Sequence, residues 1–145
     1  MIQQNDEELR ILAREIEQYR TQIQQLEQQI QTIQFARERM NTSRETIQEL
    51  KNKKKDDNIL VALRGDVYIQ AKIARVDSII VGIGAEVAIE SNLENAEERI
   101  SIRIKEMEEG IKRYSQLYSQ LISNYKEQQE KLQQYLSQPT QKTVL

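Results

Sequence analysis

The 145-residue chain has no cysteine, no histidine and no tryptophan, and only one phenylalanine and one proline. Without thiols there is no disulfide framework and no thiolate chemistry; without imidazole there is no histidine base or ligand. A dominant charge sign is missing too. The 21 basic and 23 acidic residues are interspersed and leave a formal charge of −2, so no long-range field gathers polyanions and nucleic acid is not an expected partner. With 38% hydrophobic and 30% charged residues, a large globular core is not expected either. The most apolar stretch, residues 79–89, carries Gly82, Gly84 and Glu86 and falls short of the ~20 residues a membrane-spanning helix needs. The start, Met1-Ile2-Gln3-Gln4-Asn5-Asp6, has neither the basic nor the apolar region of a signal peptide. The expectation is a soluble, cytoplasmic protein with no membrane partner.

Both ends of the chain carry apolar residues every seven positions. In the first arm one column is Ile2, Leu9, Ile16, Ile23 and Ile30, and its partner column is Leu12, Tyr19, Leu26, Ile33, Met40 and Ile47. In the second arm Ile104, Ile111, Tyr118, Tyr125 and Leu132 fill one column, and Leu93, Ile100, Met107, Tyr114, Leu121 and Tyr135 the other. Offsets of three and four make these the a and d positions of a coiled coil. Each arm, at roughly 45 residues, corresponds to about 70 Å of helix, and the similar lengths favour an antiparallel hairpin. Facing positions then sum to roughly 143 by knobs-into-holes packing, so that Ile33 meets Ile111 and Leu12 meets Leu132.

The first helix is expected to open at Asn5, where Glu8 completes a capping box, and to close in the basic run Lys51, Lys53, Lys54 and Lys55 ahead of Asp56-Asp57-Asn58. That run reads as helix termination, since two aspartates follow and no aromatic is interleaved. The second helix is expected to open at Ser91 with Glu94 and to end before Pro139. Arg37, Arg44 and Glu97 interrupt the a columns; an Arg44–Glu97 pair would set register. Gly110, the single glycine in either arm, costs about 1 kcal/mol relative to alanine and marks a soft spot.

The middle segment is β-branched. Residues 59–63 and 67–73 flank Arg64-Gly65-Asp66, and residues 79–83 and 86–90 flank Gly84-Ala85, with 76–78 between the two units. These are two β-hairpins whose register is left open by the possible turn lengths. The organisation predicted is α+β: a long antiparallel coiled-coil hairpin with two β-hairpins between its helices. Its segments are a helix over 1–52, the hairpins over 58–90, a helix over 91–137 and a disordered tail over 138–145. Two small apolar hairpins cannot close a core alone, and their free edges invite another chain. Several copies contributing hairpins to a shared β-barrel hub would remove those edges. The candidate oligomerisation positions are Ile59, Val61, Leu63, Val67, Ile69, Ile73, Ile79, Val81, Ile83, Val87 and Ile89, about half of which alternation turns inward.

The segments ILVALRGDVYIQAKI and IIVGIGAEVAIESNLENA, set between two heptad helices, resemble the archaeal prefoldin α family over nearly the whole chain. Two hairpins match the α type, whereas β types have one. The chain departs at Ala62, where proline is frequent in the family, and at Arg64 and Glu86, where glycine is common. The resemblance implies a hexamer of two α-type and four β-type subunits with a double-barrel hub and six coiled-coil tentacles. It also implies an ATP-independent chaperone that holds non-native polypeptides at the tentacle tips and passes them to a group II chaperonin, with no cofactor.

At the tips lie Ile2, Leu9, Leu12, Leu132, Tyr135 and Leu136. Where helix ends fray, such residues become available to a client's apolar segments, each worth about 1.5–3 kcal/mol when fully buried. Several tips around one cavity multiply weak contacts through effective concentration. The same six residues equally serve to complete the seam. Leu136, beside the d-position Tyr135 and off the seam, separates the two readings: exposure there favours binding. Catalysis is not expected, because Gly82-Ile83-Gly84, the single phosphate-loop suggestion, has Val87 where a third glycine would stand and sits in a hairpin. The competing reading is a structural coiled coil that tethers one defined folded partner.

Overall fold

The computed structural model describes residues 2–138, with side chains from Gln3 onward. The element order is α1 (Ile2–Leu50), β1 (Asn58–Ala62), β2 (Tyr68–Lys72), β3 (Ile79–Gly84), β4 (Val87–Ser91) and α2 (Leu93–Ser137). This is the α+β arrangement of two long helices with two antiparallel hairpins between them. The expected disordered tail, apart from Gln138, lies outside the described residues.

Neither proline nor glycine occurs in α1, which lets it run unbroken. Its hydroxyl residues are accommodated by back-bonding: Thr21, Thr32, Thr42, Ser43 and Thr46 each donate to the carbonyl four residues earlier. The helix does not start at an Asn5 capping box. It is already formed at Ile2, because Ile2, Gln3 and Gln4 are themselves compatible with helix, and Asn5 lies exposed within it. At the other end Asn52 N–H and Lys53 N–H bond to the carbonyls of Glu49 and Leu50 at 3.0 and 3.1 Å, tightening the last turn. Asp56 at φ +69° then redirects the chain, while the Asp57 carboxylate accepts from Lys54 N–H at 2.7 Å.

The α2 cap falls one residue later than expected. Asn92 Oδ1 accepts from Asn95 N–H at 2.7 Å, whereas Ser91 Oγ donates to the Asn92 carbonyl. Both are good N-cap residues, but Ser91 is still paired with Ile79 in the β3–β4 ladder, which leaves Asn92 to cap.

The β1–β2 register pairs Ile59 with Ala71, Leu60 with Gln70 and Val61 with Ile69. The ladder extends past both strand ends, Leu63 N–H donating to Val67 O at 2.7 Å and Ile73 N–H to Asp57 O at 3.0 Å. Gly65 and Asp66, both at positive φ, make the turn. In the second hairpin Gly82 pairs with Ala88 but Gly84 with Val87, so Ile83 is the extra residue of a β-bulge. The turn is Ala85-Glu86 (φ 49° and 59°) rather than Gly84-Ala85. Two successive positive φ angles match strand twist, and Gly84 at φ 110° serves the bulge instead. The hairpins are separate two-stranded sheets. Arg75, in the link between them, contacts Asp77 through two nitrogens at 3.2 Å each and Glu90 at 2.9 Å.

The chain divides into two compact units. The strand-bearing unit, residues 35–108, contains a cluster of buried Ile47, Ala96, Ile100 and Ile104, against which Met40, Ile79, Val81 and Leu93 pack. The coil unit combines the remainder of α1 with that of α2. In it the α1 positions Leu12, Ile23 and Leu26 are buried, at the a and d spacing that the heptads predict.

Candidate functional site

Strand alternation sorts every candidate oligomerisation residue onto one face of its hairpin. Ile59, Val61, Leu63, Val67, Ile69 and Ile73 share the odd-numbered face of β1–β2 with Ala71. None of these side chains is polar. Ile73 is buried and Ile59 half-buried, whereas Val61, Leu63, Val67 and Ile69 are 41–53% exposed. In β3–β4 the positions Ile79, Val81, Ile83, Val87 and Ile89 likewise share a face. Ile79 and Val81 are held against the helix cluster, and Ile83 and Val87 are exposed. The sequence-based expectation that half the pool faces inward did not anticipate this segregation, since it depends on register. The opposite faces add Leu60, Tyr68 and Ile80, all exposed, which the pool omitted. Ile80 belongs to a groove of about 620 Å³ bounded by β3, by Met40 and Ile47, and by Ile100, Ile102 and Arg103.

In the same unit Glu97 accepts hydrogen bonds from Lys51 Nζ and from Gln48 Nε2. The Lys51 ammonium, then the Gln48 amide, hold the Glu97 carboxyl below its ordinary pKa. Arg44, the expected partner, instead bonds Asn41 Oδ1 at 3.2 Å. Lys51 stands one heptad after Arg44 in the same column, just past the helix end, and takes the place expected for Arg44.

In the coil unit the candidate tip residues divide. Leu12 is buried, Leu9, Leu132 and Tyr135 are half-buried, and Leu136 is 68% exposed; the Ile2 side chain lies outside the described residues. Along α2 every seam residue from Ile111 to Tyr135 is only half-buried. Two tyrosines reach across to α1: Tyr118 Oη donates to Glu27 Oε1 at 2.8 Å and Tyr135 Oη to Glu8 Oε2 at 2.5 Å. Both carboxylates favour the protonated phenol and raise its pKa. These ties confirm the antiparallel facing. Sequence reasoning placed the tyrosines in the seam but missed their acceptors, for which the sole signal was a glutamate at a facing position.

The model of the family described as Prefoldin subunit matches residues 2–138. The chain belongs to the prefoldin family. Its relatives include a prefoldin subunit alpha of Methanocorpusculum labreanum, 28% identical over 133 residues that cover 92% of this chain and 90% of that one. A prefoldin subunit alpha of Pyrococcus horikoshii is 31% identical over 111 residues, 76% of this chain and 75% of the relative. In fold, the chain is similar to one from the cryo-EM structure of filamentous PFD from Methanocaldococcus jannaschii, with a TM-score of 0.69, 20% identity, and coverage of 79% of this chain and 94% of that chain. Prefoldins are chaperones, and among the described residues no helix is long and apolar enough to cross a membrane.

Proposed function

We propose that this chain is the α-type subunit of a cytoplasmic, ATP-independent chaperone that captures non-native polypeptides at the distal ends of its coiled coil and delivers them to a group II chaperonin. The apolar hairpin faces join it to β-type subunits, two α with four β, through a barrel hub. The segments carrying these tasks are the helices over 1–52 and 91–137 and the hairpins over 58–90. What supports client capture is the graded seam of α2: Ile100 and Ile104 are buried, and from Ile111 outward burial is partial. Half-wet apolar positions retain free energy to gain on meeting another apolar chain. The exposed Leu136 supports the same reading. Ile2, Leu9, Leu12, Leu132 and Tyr135 complete the contact set as the ends separate, and repetition over several tips supplies the retention.

The test is aggregation of several unrelated guanidine-unfolded proteins, without nucleotide, in the presence of the complex with its β-type partner. Deleting residues 1–12 and 132–145 is expected to abolish protection while the mass of the complex falls only by the deleted residues. Protection of none by the intact complex would favour a tether for one folded partner; loss of assembly on truncation would refute the separation of tasks.

A further inference from the structure

We propose that the Glu8–Tyr135 pair is a latch that holds the distal ends of the two helices together, so that the seam beside it is offered to an apolar chain only when the latch opens. This rests on the client-holding reading above. Among the described residues the coil unit has two side-chain hydrogen bonds between its helices, and this is the outer one. Its single ion pair, Lys131–Glu127, lies within α2. Beyond the latch, among the described residues, no further side-chain hydrogen bond or ion pair joins the two helices: residues 3–7 of α1 are exposed, as are 136–138. Helix termini fray unless held.

Tyr135 is suited to this task because its ring occupies a seam position while its hydroxyl reaches a carboxylate, and charge-assisted bonds are the stronger kind. The residues that the closed latch shields are those a client would use, with Leu12 buried and Leu9 and Leu132 half-buried. Leu136 stays exposed in the closed state and offers a first contact. The apparent affinity of a site that is open for only a fraction of the time is reduced by that fraction. Weakening the latch therefore tightens client binding.

The experiment uses the complex with its β-type partner and, as probe, fluorescein-labelled reduced and carboxymethylated α-lactalbumin, a permanently unfolded chain. Tyr135→Phe removes the hydroxyl and keeps the ring. It is expected to speed amide exchange over residues 3–12 and 128–137 several-fold and to tighten probe binding roughly threefold to tenfold. Glu8→Ala should do the same, Glu8→Gln, which keeps an acceptor but loses the charge assistance, should fall between wild type and Glu8→Ala, and Glu8→Ala with Tyr135→Phe should exceed neither single. Because the chain has no native cysteine, Glu8→Cys with Tyr135→Cys in a complex with cysteine-free partner subunits can be bridged by a short bismaleimide, and bridging is expected to abolish binding. Unchanged exchange in Tyr135→Phe overturns the latch, and so does faster exchange with unchanged or weaker probe binding, or full binding by the bridged complex. If exchange responds as expected but neither wild type nor any variant binds the probe, the client-holding reading fails and the gating role with it, leaving the tie as a conformational restraint alone.

Discussion

In the strand-bearing unit, Ile47, Ala96, Ile100 and Ile104 are buried and two strand residues press on them. In the coil unit the α2 seam from Ile111 to Tyr135 is nowhere fully buried, and four of the six tyrosines of the chain fall in that stretch. One heptad rule writes both stretches. The difference lies in what else covers the seam and in the side chains that fill it. Isoleucine beside a strand loses its contact with water, whereas tyrosine in a two-helix seam keeps its hydroxyl wet or bonded to a glutamate. A uniform repeat thus yields one part whose α2 positions Ile100 and Ile104 are sealed and another whose α2 positions stay half-wet, facing α1 residues such as Leu12, Ile23 and Leu26 that are buried.

If that contrast is right, equal truncations should cost unequally. Ile104→Ala is expected to destabilise by about 2–5 kcal/mol and Leu132→Ala by about 1 kcal/mol or less, measured by urea unfolding followed at 222 nm. Equal losses would erase the contrast. Ile69→Asp places a charge on the apolar face of β1–β2, where the side chain is half exposed in the single chain. Helicity should survive and assembly should not, since the charge would be buried only between subunits; light scattering reads the mass.

A smaller effect is set by pH. Tyr118 and Tyr135 titrate above the usual tyrosine value of about 10, so their contribution is complete below that value and is lost as pH rises through the raised pKa values. Glu97 titrates below the usual carboxylate value; its contribution is complete above that value and lost as pH falls through the lowered one. Thermal unfolding should show both limbs, and Tyr118→Phe with Tyr135→Phe should flatten the alkaline limb alone. An effect of opposite sign and no more than modest size is expected at Gly110, where an added Cβ would meet nothing within 4 Å: Gly110→Ala should stabilise the coil by about 1 kcal/mol or less, read as a raised midpoint.

The helices were legible because a spacing of three and four survives any detail of packing, and the burial of Leu12, Ile23, Leu26, Ile47, Ile100 and Ile104 follows it. Details that turn on one residue were not. Ser91 and Asn92 are equally good caps by type, and the ladder decides between them. Glycine points to a turn at Gly84, yet the bulge claims it and leaves Ala85-Glu86 to bend. For the candidate surfaces, residue types were readable but facing was not, because the loop between β1 and β2 sets the register. Glu97 found Lys51 rather than Arg44, and because the two stand one heptad apart in the same column, spacing alone left that choice open.

Two hairpins that do not hydrogen-bond to each other leave four strand borders open, each a template on which another backbone can add. If the chain assembles as proposed, a copy made in excess of its partners carries, fully folded, open edges that invite unintended pairing. Under the proposed assembly, matched supply of the subunits would be a requirement of the architecture itself, and a surplus of this chain should be the form that quality control has to remove.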